Sequence, residues 1–102
     1  MRFACLILLL IPALAACDPC HTECRDLTDM YETCLLDFDL QWEDLGAPSQ
    51  EEFRDACFDD RDQRRAAGDD ASAFNKSCRE TSSELAALST CEEYAGWLLA
   101  IE

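Results

Sequence analysis

From residue 20 to 45 the chain sets Cys20, Cys24, Leu27, Tyr31, Cys34, Phe38, Trp42 and Leu45 at steps of three or four. Acidic residues, including Asp26, Asp29, Glu32, Asp37, Asp39 and Glu43, fall largely between them. Such steps keep side chains on one face of an α-helix, so the spacing predicts a long amphipathic helix over about 19–45. Pro19 suits its first turn, where a missing N–H costs nothing, and Gly46-Ala47-Pro48 ends it. Ser49 and Glu52 have the spacing of a capping box and start a helix of about 50–66. Its apolar face is short: Phe53, Cys57 and Phe58. Arg64 and Arg65 complement the negative end of its dipole, and Gly68 stops it.

Asp69 or Asp70 can cap a third helix, about 71–88, with the stripe Ala71, Phe74, Cys78, Leu85 and Leu88. Thr90 and Glu93 form another capping box before a last helix of about 91–101, faced by Cys91, Tyr94, Leu98 and Ile101 with Trp97 beside them. No alternating strand pattern and no repeat competes. The pattern predicts an all-α fold, a small disulfide-stapled bundle of about four helices, the first much the longest.

The front of the chain follows a different rule. Met1-Arg2 opens a run of apolar residues from Phe3 to Ile11, and Pro12 and small residues lead to Cys17. A positive start, a short apolar stretch and a small-residue exit are the parts of a secretory signal peptide. The run is too short to span a bilayer as a helix, which takes about 20 residues. Ala13-Leu14-Ala15 offers one exit, releasing Ala16. Leu14-Ala15-Ala16-Cys17 resembles the lipobox of bacterial lipoproteins, whose cysteine receives diacylglycerol and whose chain is cut just before it. The resemblance implies a signal peptide at 1–16 and a single lipid-anchored domain at 17–102, facing the periplasm from the cell envelope. Asp18 resembles the retention signal of enteric bacteria, which favours the inner over the outer membrane. No family is recognised for the domain itself.

Cysteine parity weighs the competing readings. The chain has eight cysteines, at 5, 17, 20, 24, 34, 57, 78 and 91. Once Cys5 leaves with the signal and Cys17 takes lipid, an even set of six remains: Cys20, Cys24, Cys34, Cys57, Cys78 and Cys91. Exported domains usually avoid leftover thiols. The rival is a c-type cytochrome, because Cys17-Asp18-Pro19-Cys20-His21 matches the C-x-x-C-H haem attachment motif. Haem would leave five cysteines. Met30, the one methionine after the signal, lies too near His21 along the same predicted helix to reach the opposite face of the ring. A third reading is a thiol–disulfide redox protein using Cys20 and Cys24, which lie at a helix start beside His21. For the pairing, a turn centred near residues 46 and 47 puts Cys34 and Cys57 at heights agreeing within about 3 Å, so Cys34–Cys57 is favoured. Cys57–Cys78 is its rival around Gly68. Pairing Cys20 and Cys24 with Cys78 and Cys91 then follows by elimination.

The C-x9-C spacing of Cys24 and Cys34 is similar to that of the twin C-x9-C helical-hairpin proteins of mitochondria. The second pair is missing, so only the idea of disulfide-stapled helices carries over.

All 22 acidic residues but only seven of the eight basic ones lie after residue 16, a net charge of −15 for the expected mature chain. That argues against nucleic-acid binding, which needs Lys and Arg to displace counterions, and against adsorption on anionic lipid. The membrane attachment expected is the covalent lipid on Cys17. Zinc at Cys20, His21 and Cys24 competes with disulfides in an oxidising compartment. Asp37-x-Asp39-x-Gln41 starts like a calcium loop, but Trp42 stands where glycine is needed and Pro48 where glutamate is needed. Asp59, Asp60 and Asp62 are expected on a solvated face, and Asn75-Lys76-Ser77 is a formal glycosylation acceptor on a helix. No nucleophile–His–acid set stands out. The expectation is a monomeric, non-enzymatic binding or structural module with no cofactor and no metal, its protein partner unspecified. Tyr31, Phe38, Trp42, Tyr94 and Trp97 are expected to pack as core rather than line a groove.

Overall fold

The computed structural model describes residues 18–101. The expected signal peptide at 1–16 and the expected lipidation site Cys17 lie outside the described residues. Helix α1 spans Pro19–Cys34, α2 Gln50–Ala67, α3 Ala71–Ala86 and α4 Cys91–Ala100; a 3-10 turn, Trp42–Leu45, lies between α1 and α2. Among the described residues there is no strand, and no helix is long and apolar enough to cross a membrane.

The helix starts follow the caps in the sequence. The Asp18 carboxylate accepts from the amides of Cys20 and His21 at 2.9 and 3.4 Å, with Pro19 in the first turn of α1. Ser49 and Asp70 accept from the amides of Glu52 and Ala73, and Thr90 and Glu93 close a reciprocal box at α4.

Helix α1 ends earlier than its apolar spacing predicts. It stops at Cys34, and α2, with 18 residues against 16, is the longest helix. Asp39 has a left-handed backbone, φ 56°, which breaks the α-helical path. The Gln41 and Asp44 side chains cap the 3-10 turn reciprocally, and Gly46 leaves it at φ 86°, a conformation glycine takes without steric cost. The physical reason lies in packing. A helix continued to residue 45 would project roughly 16 Å beyond Cys34, past the length that α2 and α3 can cover. Phe38, Trp42 and Leu45 are instead half-buried by the chain folding back.

Helices α1 and α2 run antiparallel, with Tyr31 against Phe53, Cys24 against Cys57, Glu23 against Arg61 and Asp18 against Arg65. The midpoint of this hairpin is near residue 41, not 46 or 47. Moving a midpoint by five positions moves each partner by about ten, or about 15 Å of helix. Cys57 therefore meets Cys24, and the expected pair Cys34–Cys57 is corrected. The disulfides are Cys20–Cys78, Cys24–Cys57 and Cys34–Cys91, with Cα separations of 4.9, 5.7 and 5.5 Å. The rival Cys57–Cys78 is corrected by the same geometry. Of the pairings by elimination, Cys20 with Cys78 is found.

Helix α1 is the central element, packed on α2 on one side and α3 on the other, while α4 meets it near Cys34. Its buried face is accordingly wider than one stripe. Cys20, Cys24 and Cys34 are fully buried, and Met30, Thr28 and Glu23, outside the stripe, are buried too. The largest fully buried side chains are these three half-cystines. The core is therefore built around sulfur bridges where a larger domain would use leucine and phenylalanine.

Candidate functional site

Two places in the bundle gather chemistry. The first is the corner where α1 begins and α2 ends. Asp18 does two jobs there: it caps α1, and its two oxygens receive Arg65 Nη1 and Nη2 at 2.8 and 2.6 Å. Arg65 Nη2 also donates to Asp62 at 3.0 Å, and Nη1 to the amide oxygen of Asn75 on α3. One guanidinium thus ties three helices together, using the planar donor set that suits a carboxylate. Burial pushes the Asp18 carboxyl up. The hydrogen bonds from Arg65 and the Cys20 amide and the charges of Arg65 and His21 outweigh it, so the group lies below the ordinary carboxylate value.

His21 sits beside this pair. Its Nε2 lies 2.8 Å from Asp62 Oδ1, and its ring stacks on Phe58 with centroids 4.4 Å apart. The guanidinium carbons of Arg25 and Arg54 lie 5.3 and 5.9 Å from the Phe58 ring centre. Phe58, expected only as an outlying core position, is a platform for three basic side chains. One turn along, Arg61 Nε donates to Glu23 at 2.7 Å, and Arg61 also bonds Asp60. Asp60 and Asp62 are therefore members of an ion-pair ladder, not merely a solvated acidic face. Asn75 of the formal glycosylation acceptor is engaged by Arg65.

This corner bears on the chemistry weighed in the sequence. One ligand atom each from Asp18, His21 and Asp62 lie within 4.8 Å of one another. Arg65 already bonds both carboxylates, and a guanidinium there opposes a cation. Cys20 and Cys24 are not paired with each other; each is a fully buried half of a separate interhelical disulfide. The Cys20 sulfur, bonded to Cys78, has no valence left for a haem thioether, and neither cysteine is a thiolate for zinc. Asp37 and Asp39 lie in the turn after α1, exposed to solvent.

The second place is a groove of about 500 Å³ along the side of α1 that α2 leaves open. Met30 and Leu85, 3% and 4% exposed, form its floor, the Tyr94 ring stands on one side, and Asp26, Asp29 and Thr33 of α1 on the other. Tyr94 donates its hydroxyl to the Leu88 carbonyl at 3.3 Å, which steadies the ring. The remaining aromatics divide. Tyr31 and Trp42 both lie with centroids 5.5 Å from Phe53, capping the end of the bundle remote from Asp18. Trp97 donates to Glu84 at 3.0 Å, and Phe38 is half-buried in the turn. None of the five is fully buried, and Tyr94 does line a groove.

Sequence reasoning missed Arg65, Arg61, Glu23 and the groove. The ion pairs join residues 38 and 47 apart, so only the α1–α2 register reveals them. Asp26 and Asp29 were read as a polar face, which they are; that Met30 sits between their wall and Leu85 depends on where α3 ends. No family model, no curated protein and no solved structure matches this chain.

Proposed function

We propose that this chain is a small exported lipoprotein, anchored through Cys17, whose domain serves as a non-enzymatic binding module at the membrane surface. The observation that carries the reading is cysteine pairing. All six cysteines from Cys20 to Cys91 are matched with one another, so none of them is a disulfide partner for Cys17. A cysteine directly after the apolar segment and an A-A pair, outside the network of bridges, is free to take lipid. An oxidised network also fits a compartment outside the cytoplasm.

The start of α1 adds a consequence for orientation. Asp18, the residue after the anchor, is already held by Arg65 and by the first turn of α1. A lipid on Cys17 thus joins the rigid bundle with no linker between. The corner where α1 begins and α2 ends faces the bilayer, and the Tyr31–Trp42–Phe53 end points away. Asp18 in this position favours inner-membrane retention. The groove supplies the binding half of the reading, because its size lies in the range of small-molecule sites.

The test is acylation in cells. The native chain, fed an alkyne-tagged fatty acid, takes up label and is released from membranes by detergent but not by high salt. Cys17→Ala takes up none. An unlabelled native chain whose first residue is Ala16 overturns the anchor.

A further inference from the structure

We infer that the groove on α1 is a site for an organic cation with an apolar body, a primary ammonium on a hydrocarbon or aromatic frame. The inference rests on the binding-module reading and gives that module its ligand class; it does not depend on the anchor.

Shape comes first. About 500 Å³ of space lies between α1, the end of α3 and the start of α4, enough for a ligand of drug-like size and far more than an ion needs. The floor sets the body of the ligand. Met30 and Leu85 close the bottom with apolar atoms, and the thioether of Met30 adapts to a flat or a branched surface. The Tyr94 ring offers a face for stacking or for a cation. The walls set the charge. Asp26 and Asp29 are three positions apart on α1, hence on one wall, and both line the groove. Among the described residues lining it, none is Lys or Arg. That sets it apart from the Asp18 corner, where every carboxylate is answered by a guanidinium within the fold.

The field of the whole chain acts in the same direction. With 22 acidic against eight basic residues, the surface concentrates cations and repels anions at low and moderate salt. A neutral apolar ligand would use the floor but leave the wall unused, and an anionic one would be opposed by Asp26 and Asp29. An ammonium set against the two carboxylates, with its body along Met30 and Leu85, uses both.

The experiment titrates the full processed chain, nitrogen-15 labelled and held in a non-ionic detergent, with 4-phenylbutylammonium, then with the neutral 4-phenylbutanol and the anionic 5-phenylpentanoate. The expected result is movement of the Asp26, Asp29, Met30 and Leu85 amide resonances with the ammonium, about tenfold weaker binding of the alcohol, and none of the carboxylate. Asp26→Asn with Asp29→Asn brings the ammonium down to the level of the alcohol. Ala86→Phe, at an exposed position on the rim, weakens both, and the unchanged spectrum of the rest of the bundle shows that it has folded. Equal binding of ammonium and alcohol overturns the cation assignment and leaves a binding module for neutral apolar ligands. No binding of any of the three overturns the groove as a site and, with it, the binding half of the proposed function.

Discussion

The trunk formed by α1, α2 and α3 and the arm formed by α4 are both helices with good caps, yet they are held in different ways. The trunk has two interhelical disulfides, Cys20–Cys78 and Cys24–Cys57, and the ladder of Asp18, Glu23, Arg61 and Arg65 between them and the N-terminal end. The arm has one disulfide, Cys34–Cys91, at its first residue, then the Trp97–Glu84 bond, and it leaves Leu99 and Ile101 72% and 61% exposed. The comparison teaches that helix-forming signals and tertiary fixation are separate properties. Thr90 and Glu93 make α4 the best-capped helix in the chain, and it is still the least buried.

The bridges give the largest expected effect. In a loop-closure account, crosslinks spanning 58 and 33 residues contribute about 4 kcal/mol each. Replacing Cys20 and Cys78, or Cys24 and Cys57, by alanine should unfold the trunk at a much lower temperature, followed by circular dichroism. Replacing Cys34 and Cys91 should act mainly on the arm: amide exchange in α4 becomes fast while α1 to α3 stay protected. If that third pair costs the trunk as much as the other two, the division into trunk and arm is wrong.

Ion pairs come next. Arg61→Ala leaves Glu23, which is 7% exposed, without its partner, at a cost of about 2–3 kcal/mol after allowing for the exposed part of Arg61. Arg65→Gln loses the bidentate contact with Asp18, at about 1–2 kcal/mol. Both are read as shifts of the urea midpoint. By contrast, Arg79→Gln, for which no ion pair is found among the described residues, should shift it by less than about 0.5 kcal/mol.

Acid sharpens the same point. The Asp18 carboxyl is depressed below its ordinary value of 3.8 in the folded state. Its contribution is therefore complete above 3.8 and is lost as pH falls through the lower folded value. Stability of the native chain should drop across that window, and Arg65→Gln should flatten this part of the drop. The smallest effect belongs to the arm: Leu99→Ser changes the midpoint by less than about 0.5 kcal/mol, since little of that side chain is buried.

Local signals in the sequence read well because caps act over three residues. Ser49, Asp70, Thr90 and Pro19 each mark the helix start that the structure shows. The end of α1 was not legible by periodicity, because Phe38, Trp42 and Leu45 keep helical spacing while the chain bends to bury them. That one misplacement carried into the disulfides: with the hairpin midpoint moved, Cys34 could not meet Cys57. The ends of helices depend on what the neighbours can cover, and the side-chain pattern of one segment does not contain that. The same holds for the candidate site. The acidic residues Asp26 and Asp29 are evident in the sequence, but their groove exists only because α3 ends at Ala86 and Tyr94 returns beside it.

The most direct measurement is mass spectrometry of the unreduced protein taken from its own membrane, intact and then cleaved between the cysteines. The account predicts a chain beginning at Cys17, heavier by lipid and lighter by six hydrogens, whose fragments stay joined as Cys20 with Cys78, Cys24 with Cys57 and Cys34 with Cys91. A chain beginning at Ala16 with haem on Cys17 and Cys20, or fragments joining Cys34 to Cys57, would contradict it.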